Sequence, residues 1–504
     1  MTHLLQGTEP AEAASGARRA PVLVAGEELD ARWLPVPNPA RRHEVVGEVA
    51  MGTAEHVDRA VSAARQAFPA WAALGADERA RLMAEAAAAL DAHLPALAHL
   101  LTQEQGKVLW ESRVDVGGAG HILRYYTTLT DRLAADEVFR QDGRGTVWIG
   151  RRPMGVTGVI VPWNSPVYLA FLGIAPALLA GNTLVVKPSE LAPLALGQVL
   201  AIVARYLPAG VLNVVPGGGE AGAAISRHPE IRKVFFTGST ATGRQVLREA
   251  AGNLKNVSLE LGGNDPAIVL ESATVTDRLV DELVQGVYSA SGQICFAVKR
   301  IYVHHAHYRD FVDRYLEAVD EIVVGDGLDP RTTMGPVNNV PGFDRITALI
   351  ERTRADGAAV HQLGSRLDPD GWSDGLFLAP TVVTDIDPKA ELVTCEQFGP
   401  VVPVLPFRDD DEALGMANDS EFGLGASVWS DDRRHALDVA RRIESGSVFL
   451  NAHRIGVSDV SMPFGGFKSS GVGRGHGIPA LEACTETQTI ADYVDVSGLP
   501  GPGR

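Results

Sequence analysis

The segment Ser291-Gly292-Gln293-Ile294-Cys295-Phe296 places a thiol just after a Gly-Gln pair and just before an apolar run. A lone cysteine ordinarily packs as a small hydrophobe, and Cys395 and Cys484 keep that reading. Cys295 differs, because it ends a loop that feeds a predicted strand, so its sulfur can be presented at a rim. A thiolate there is a strong nucleophile even when only partly ionised. A second segment, Val257-Ser258-Leu259-Glu260-Leu261-Gly262-Gly263-Asn264, sets a carboxylate in an apolar strand ahead of two glycines. It is either a surface Glu at a strand end or a general base whose apolar surroundings raise its pKa toward neutrality. The glycines let a flat ring or a mobile side chain approach the backbone. The third, Pro162-Trp163-Asn164-Ser165-Pro166, reads as a turn or as an amide donor for a developing oxyanion, worth about 3 kcal/mol in such sites. The chemistry on offer is a thiol nucleophile, a general base and an oxyanion donor.

Other segments are weaker alone. Phe236-Thr237-Gly238-Ser239-Thr240-Ala241-Thr242-Gly243 is a Gly-rich strand-to-helix turn. Main-chain N–H groups at a helix start suit a phosphate, but this is not the six-residue dinucleotide fingerprint with three glycines. Lys187-Pro188-Ser189-Glu190 either grips two ribose hydroxyls or is a solvated loop. Glu396-Gln397-Phe398-Gly399-Pro400, and Asn451 through Pro463-Phe464-Gly465-Gly466, are turn-rich segments with no chemistry evident by inspection.

These residues need elements to position them. Val156–Val161, Thr183–Val186, Val211–Val215 and Val234–Thr237 read as strands, separated by helix patterns through Ala180 and over Ala192–Tyr206. Alternating strands and helices imply parallel βαβ units and a doubly wound sheet, with ligands at the carboxyl ends of the strands. Asn164, Lys187, Gly217–Gly219 and Gly238–Gly243 all fall just past strand ends, so four segments point at one rim. A second α/β stretch follows residue 260, with strands at Ala267–Val269, Lys299–Val303 and Val401–Pro406. Glu486–Tyr493 reads as an exposed edge strand, which hints at subunit pairing. Ala54–Phe68 and Ala76–Leu101 read as amphipathic helices, the first stopping at Pro69 and the second with a candidate break at Pro95.

Composition narrows the class. The chain has 504 residues, more than one core usually spans. Apolar residues make up 45% and charged residues 21%, an ordinary globular balance. A formal net charge of −17 repels nucleic-acid backbones, so no nucleic-acid partner is expected. Three cysteines are too few for a disulfide framework and none are at metal-ligand spacing, so no metal is expected. Reduced thiols and a cytoplasmic location are the natural reading. The best apolar run, Val167–Ala180, is too short to span a membrane, and no membrane partner is expected.

In their order and separations, Pro-Trp-Asn, Lys-Pro-Ser-Glu, Phe-Thr-Gly-Ser, Glu-Leu-Gly-Gly, Gly-Gln-x-Cys, Glu-x-Phe-Gly-Pro and Pro-Phe-Gly-Gly resemble the aldehyde dehydrogenase superfamily. The resemblance covers about residues 20 to 495. It implies an α/β fold with a Rossmann-type cofactor domain (residues 21–127 and 150–261), an α/β catalytic domain (262–468) and a small β oligomerisation flap (128–149 and 485–497). Residues 1–20 are expected to be mobile and 498–504 to form a flexible tail. It further implies Cys295 as nucleophile, Glu260 as base, and Asn164 with the Cys295 N–H as the oxyanion hole. Lys187 and Glu190 would hold the adenosine ribose. Gly219, Gly222, Phe236 and Ser239 would line the adenine and pyrophosphate, and Val161, Pro162, Leu261 and Gly262 complete the cofactor cleft. Trp163, Glu396 and Phe398 would position the pyrophosphate side and the nicotinamide ribose. Asn451 resembles the family's structural Asn.

The implied reaction oxidises an aldehyde to a carboxylic acid through a thiohemiacetal and a thioester. Glu260 favours hydrolysis over CoA transfer, since CoA-acylating relatives tend to lack this base. Glu190 favours NAD, because a carboxylate beside the ribose would repel a 2′-phosphate; NADP is left open. A CoA-acylating semialdehyde dehydrogenase and a non-catalytic binding protein on the same fold are the alternatives. A homodimer or homotetramer is implied. Departures from the common pattern are Ser291, Ser165 at the substrate tunnel, and the stretch holding His453 and Arg454. These two are placed at the tunnel mouth, where Arg454 either draws an anionic aldehyde or is a solvated charge. Phe296 and Tyr168 either stack on substrate or belong to the core.

Overall fold

The computed structural model describes residues 18–133 and 136–494. Two large sheets organise it. The first has eight strands, in the order Gly471–Val472, Asn256–Glu260, Ile231–Thr237, Val156–Ile160, Thr183–Lys187, Leu212–Val214, Val22–Val24 and Glu27–Leu29. The five from Asn256–Glu260 to Leu212–Val214 are mutually parallel. Val156–Ile160, Thr183–Lys187 and Leu212–Val214 are buried at every position, as parallel strands are when helices cover both faces, while Ile231–Thr237 and Asn256–Glu260 are exposed in part.

Strand order reverses around Val156–Ile160, which lies between a later strand on either side. Such a switch point opens a crevice at the carboxyl ends. The loops carrying Asn164, Lys187, Gly217, Gly238 and Glu260 leave the sheet at that edge. Pro166–Ala180 follows directly and is apolar nearly all round. That pattern reflects burial inside the core rather than a membrane span. No helix among the described residues is long and apolar enough to cross a membrane.

The second sheet has seven strands, in the order Ala359–Gln362, Thr381–Thr384, Val401–Phe407, Val298–His304, Asp265–Val269, Gly425–Trp429 and Ser447–Leu450. All pairs except the first are parallel. Val401–Phe407, Val298–His304 and Asp265–Val269 are immediate neighbours. The segments entering them therefore lie side by side: Glu396–Phe398, Cys295 and Gly262–Gly263. The site forms where the carboxyl edge of one sheet meets the amino edge of the other.

A third sheet joins Glu137–Asp142, Gly145–Pro153 and Thr485–Tyr493. Thr485–Tyr493 is exposed beyond its first residue, and its other edge has no strand among the described residues.

Three expectations need correction. Ala54–Ala73 runs through Pro69, because Trp71 beyond it is 1% exposed and anchors the last turn in the core. Ala76–Gln105 likewise runs unbroken through Pro95, held by buried Leu97, Ala98, Leu100 and Leu101. In both, tertiary packing outweighs the lost hydrogen bond. Arg19–Ala20, assigned to a mobile terminus, instead forms a short strand parallel to Arg41–Met51. Residues 1–17 and the tail 498–504 lie outside the described residues, as do 134–135 and the end of the flap segment at 495–497.

Candidate active site

Cys295 is half-buried, Cys484 is buried and Cys395 is exposed, so the expectation of a buried Cys395 is wrong. The turn before Cys295 is strained: Ala290, Ser291 and Gly292 have φ of 47°, 57° and 71°. Non-glycine residues avoid this region unless their surroundings over-determine it. Here they do. Glu111 accepts from the Ala290 N–H at 2.7 Å, and the Ser291 hydroxyl donates to the Gly335 carbonyl at 2.8 Å. Gln293 donates to the Ala290 carbonyl at 3.0 Å and accepts from the Asn338 N–H at 2.9 Å. Ser291, a departure at sequence level, is thus a structural tether.

The thiol sits in a charged surround. Burial pushes Cys295 up to about 12; Lys299 pulls it down, while Glu260, Asp265 and Glu396 push it further up. In this state it is a thiol rather than a thiolate, and its use as a nucleophile needs a base.

Glu260 ends its strand with one carboxylate oxygen buried and unpartnered. Burial raises it to about 8, with Arg474 acting the other way. A Cβ on Gly465 or Gly475 would stand 3.1 or 3.2 Å from its other oxygen. Small neighbours leave the carboxylate room.

Asn164 donates through Nδ2 to the Gln293 carbonyl at 3.0 Å, tying it to the Cys295 loop. An amide has two donor hydrogens, so the second is free for a reacting oxygen. Its own main-chain oxygen accepts from Lys107 Nζ at 2.8 Å, and Lys107 is paired with Asp115 at 2.8 Å, both side chains 2% exposed. Asp115 also accepts from the Tyr168 N–H at 2.7 Å, at the head of the next helix.

Gly262 and Gly263 are required by close approach. A Cβ on Gly262 would lie 2.4 Å from Glu396 Oε2, and one on Gly263 would lie 2.6 Å from the Cys295 carbonyl oxygen. Glu396 accepts from the Gly263 N–H at 3.1 Å. Trp163 and Phe398 meet edge to face at 5.8 Å. Loops from both sheets therefore converge on Cys295.

A second group forms along the crevice. Burial lowers Lys187 to about 8, with Glu190 acting the other way. Its ammonium donates to the Pro188 and Gly217 carbonyls at 3.1 and 2.6 Å. Glu190 Oε1 lies 3.3 Å from where a Gly218 Cβ would stand, and Gly222 borders the Lys187 stem. Val161 donates to the Lys187 carbonyl at 3.0 Å, joining the two groups. Gly219 opens Gly219–Arg227 and a Cβ there would meet open space. Ser239 caps Thr240–Ala250 by accepting from the Thr242 N–H at 3.3 Å. Phe236 and Leu261 are core residues beneath this surface, at 5% and 6% exposure.

A profile of the aldehyde dehydrogenase family matches residues 25–490. The chain belongs to the aldehyde dehydrogenase family. It is an aldehyde-oxidising oxidoreductase with that family's mixed α/β fold. Betaine aldehyde dehydrogenase of Staphylococcus aureus, crystallised with NAD+, is 34% identical over 96% of this chain and 97% of its own, with a TM-score of 0.90. Another crystal form of that enzyme, a point mutant with NAD+, carries a BME-modified cysteine; it is 35% identical over 94% of this chain and 97% of its own, with a TM-score of 0.90. PnpE of Pseudomonas sp. WBC-3 is 34% identical over 96% and 99%, with a TM-score of 0.90.

Some site features of this aldehyde dehydrogenase escape sequence reading. Lys107, Glu111, Asp115 and Lys299 are buried charges with polar partners, yet as letters they look like solvated helix or strand residues. Glu104-Gln105-Gly106-Lys107 at a helix end was the available signal. His453 does not sit as expected, while Arg454 stays partly exposed, in keeping with the solvated-charge reading. His453 is fully buried, bonded to the Phe296 carbonyl at 2.8 Å and Ser427 Oγ at 3.0 Å. Arg454 is paired with Glu282 at 2.9 Å, so its charge is already matched. Asn451 exchanges two 2.9 Å bonds with the Ser430 backbone, a structural role. Phe296 packs on Phe464 at 5.8 Å and Tyr168 on His476 at 6.2 Å.

Proposed function

We propose that this enzyme oxidises an aldehyde to a carboxylic acid with NAD, using Cys295 as nucleophile, Glu260 as base and Asn164 as oxyanion donor. The observation that carries the reading is the buried, unpartnered oxygen of Glu260 bearing on the Cys295 thiol, while Asn164 donates into the same loop.

The residues along the crevice fit a dinucleotide. Lys187 and Glu190 would take the adenosine ribose, and the helix starts at Gly219 and Ser239 would take the pyrophosphate. Trp163, Phe398 and Glu396 would hold the nicotinamide side, with Val161, Pro162, Gly222, Phe236, Leu261 and Gly262 shaping the walls. NAD, when bound, accepts the hydride and so supplies the oxidation. A carboxylate at Glu190 suits a free 2′-hydroxyl and repels a 2′-phosphate. The NAD+-bound Staphylococcus relatives support the same choice.

The chain's own residues do the rest. Glu260 takes the Cys295 proton, and the sulfur forms a bond to the aldehyde carbon. The carbonyl electrons move to oxygen, which accepts hydrogen bonds from the second Asn164 N–H and the Cys295 N–H; one such donor is worth roughly 10²–10³ in rate. Loss of hydride from that carbon leaves a thioester on Cys295. Glu260 passes the Cys295 proton to solvent and then takes one from water, whose oxygen attacks the thioester carbon; the C–S bond breaks, the acid leaves, and the sulfur recovers a proton from Glu260. The BME-modified cysteine of the relative supports a reactive thiol here.

A homodimer or homotetramer is part of the proposal, supported by the exposed strand Thr485–Tyr493. A reducing, cytoplasmic compartment suits a catalytic thiol. The test is a kcat/KM panel of aliphatic, aromatic, amino and carboxylated aldehydes with NAD and NADP, run on the native chain and on Cys295→Ala. Free acid and NADH are expected from the native chain only. Turnover retained in Cys295→Ala would overturn the nucleophile, and acyl-CoA formed on adding CoA would overturn hydrolysis.

A further inference from the structure

Lys299 is the second residue of Val298–His304, and its side chain is only 2% exposed. Its ammonium donates to the Ile294 and Cys295 carbonyls, both at 2.8 Å. Glu396 Oε1 lies 3.8 Å away, and the Phe398 ring centroid 5.9 Å away. The Lys299 carbonyl accepts from Gln397 Nε2 at 2.8 Å, so the Glu396–Phe398 loop is tied to the same residue from the other side. Burying an ammonium is costly unless its donors are matched. Here three oxygens surround it, two from the nucleophile loop and one from the loop assigned to the nicotinamide side.

We propose that Lys299 is a positioning residue that orients the Ile294–Cys295 peptide, sets a positive charge beside the thiol and couples Glu396 to the nucleophile loop. In a trans peptide the N–H points opposite to the C=O. Drawing the Ile294 oxygen onto Lys299 therefore turns the Cys295 N–H to the side away from Lys299. The ammonium is also the one group among those acting on the thiol that favours its ionised form; Glu260, Asp265 and Glu396 oppose it. Those carboxylates have neighbours of their own: Arg474 beside Glu260, Arg345 beside Glu396, and His453 at 3.7 Å from Asp265. The inference rests on reading Cys295 as the nucleophile.

The test uses full-length protein carrying Cys395→Ser, which removes the exposed thiol. The rate of Cys295 carbamidomethylation by iodoacetamide is followed against pH by mass spectrometry, a readout that needs no turnover. Lys299→Met removes both charge and donors. Lys299→Gln keeps a donor but removes the charge, and carries the test if the Met variant does not fold. Either neutral variant is expected to move the profile up by about one pH unit, roughly a tenfold slower reaction near neutrality. Lys299→Arg is expected to restore most of it. A native profile in the folded neutral variants, whatever their turnover, overturns the proposal. Failure of the nucleophile reading shows separately, as turnover surviving in Cys295→Ala.

Discussion

Lys107 reaches the main-chain oxygen of Asn164 at 2.8 Å while Asp115 neutralises the same ammonium at 2.8 Å. The residue proposed as oxyanion donor is therefore held from behind by a buried ion pair. Lys107→Met would leave Asp115 buried without its cation, held only by the Tyr168 N–H, at a cost of roughly 3–5 kcal/mol. Urea unfolding should show that loss. Lys107→Met with Asp115→Leu should recover most of the stability yet not the turnover, because the Asn164 main-chain oxygen has lost its donor. Full recovery of kcat in the double variant would show that the pair serves stability alone.

The carboxyl of Glu260 is raised to about 8 by burial. Below that pH it is protonated and cannot take a proton from water. Thioester hydrolysis should therefore speed up as pH rises and level off above about 8. Rapid-mixing experiments on Glu260→Gln should show the NADH burst lost along with turnover, because Cys295 has lost its base; a retained burst followed by slow turnover would confine Glu260 to the hydrolysis step. The sign for stability is opposite. A raised carboxyl favours the fold fully below its unfolded pKa of 4.5, and that benefit is lost as pH rises to about 8. Glu260→Gln should gain thermal stability over the native chain at alkaline pH and little at acid pH.

Glu190 stands beside Lys187 and the Gly217–Gly219 turn. Glu190→Ala should narrow the preference for NAD over NADP, mostly by lowering KM for NADP. Competition kinetics with both cofactors would check it, and an unchanged ratio would remove Glu190 from the ribose site.

Gly263→Ala would put a methyl group 2.6 Å from the Cys295 carbonyl oxygen. The backbone there cannot yield without moving Cys295. Turnover should fall by more than tenfold, a barrier rise of about 1.4 kcal/mol, with a smaller change in Tm. Gly252→Ala, whose Cβ meets open space, is the control.

Much of this site is legible in the sequence because its parts sit at strand ends. Asn164, Lys187, Glu260 and Cys295 each follow or precede an apolar run; the sheet order puts the first three at one edge, and the Asn164–Gln293 bond ties that edge to the Cys295 loop. What was not legible depends on burial. Lys107, Glu111 and Lys299 look like ordinary surface charges until the fold surrounds them with carbonyl oxygens and N–H groups. His453 misled for the converse reason: a loop residue by its neighbours, it is sealed under Phe296. Pro69 and Pro95 misled because local rules do not see the buried side chains beyond them.

The stretch from Glu104 to Asp115 grips both halves of the molecule. Glu104 caps Leu194–Ala204 at 2.6 and 2.7 Å, Leu109 donates to Gly327 at 3.0 Å, and Glu111 holds Ala290 at 2.7 Å. Any breathing of the cleft must pivot on this stretch, as a door does on its hinge post. Its amides should be among the slowest to exchange with deuterium, and the cleft should gape widest at the end farthest from it.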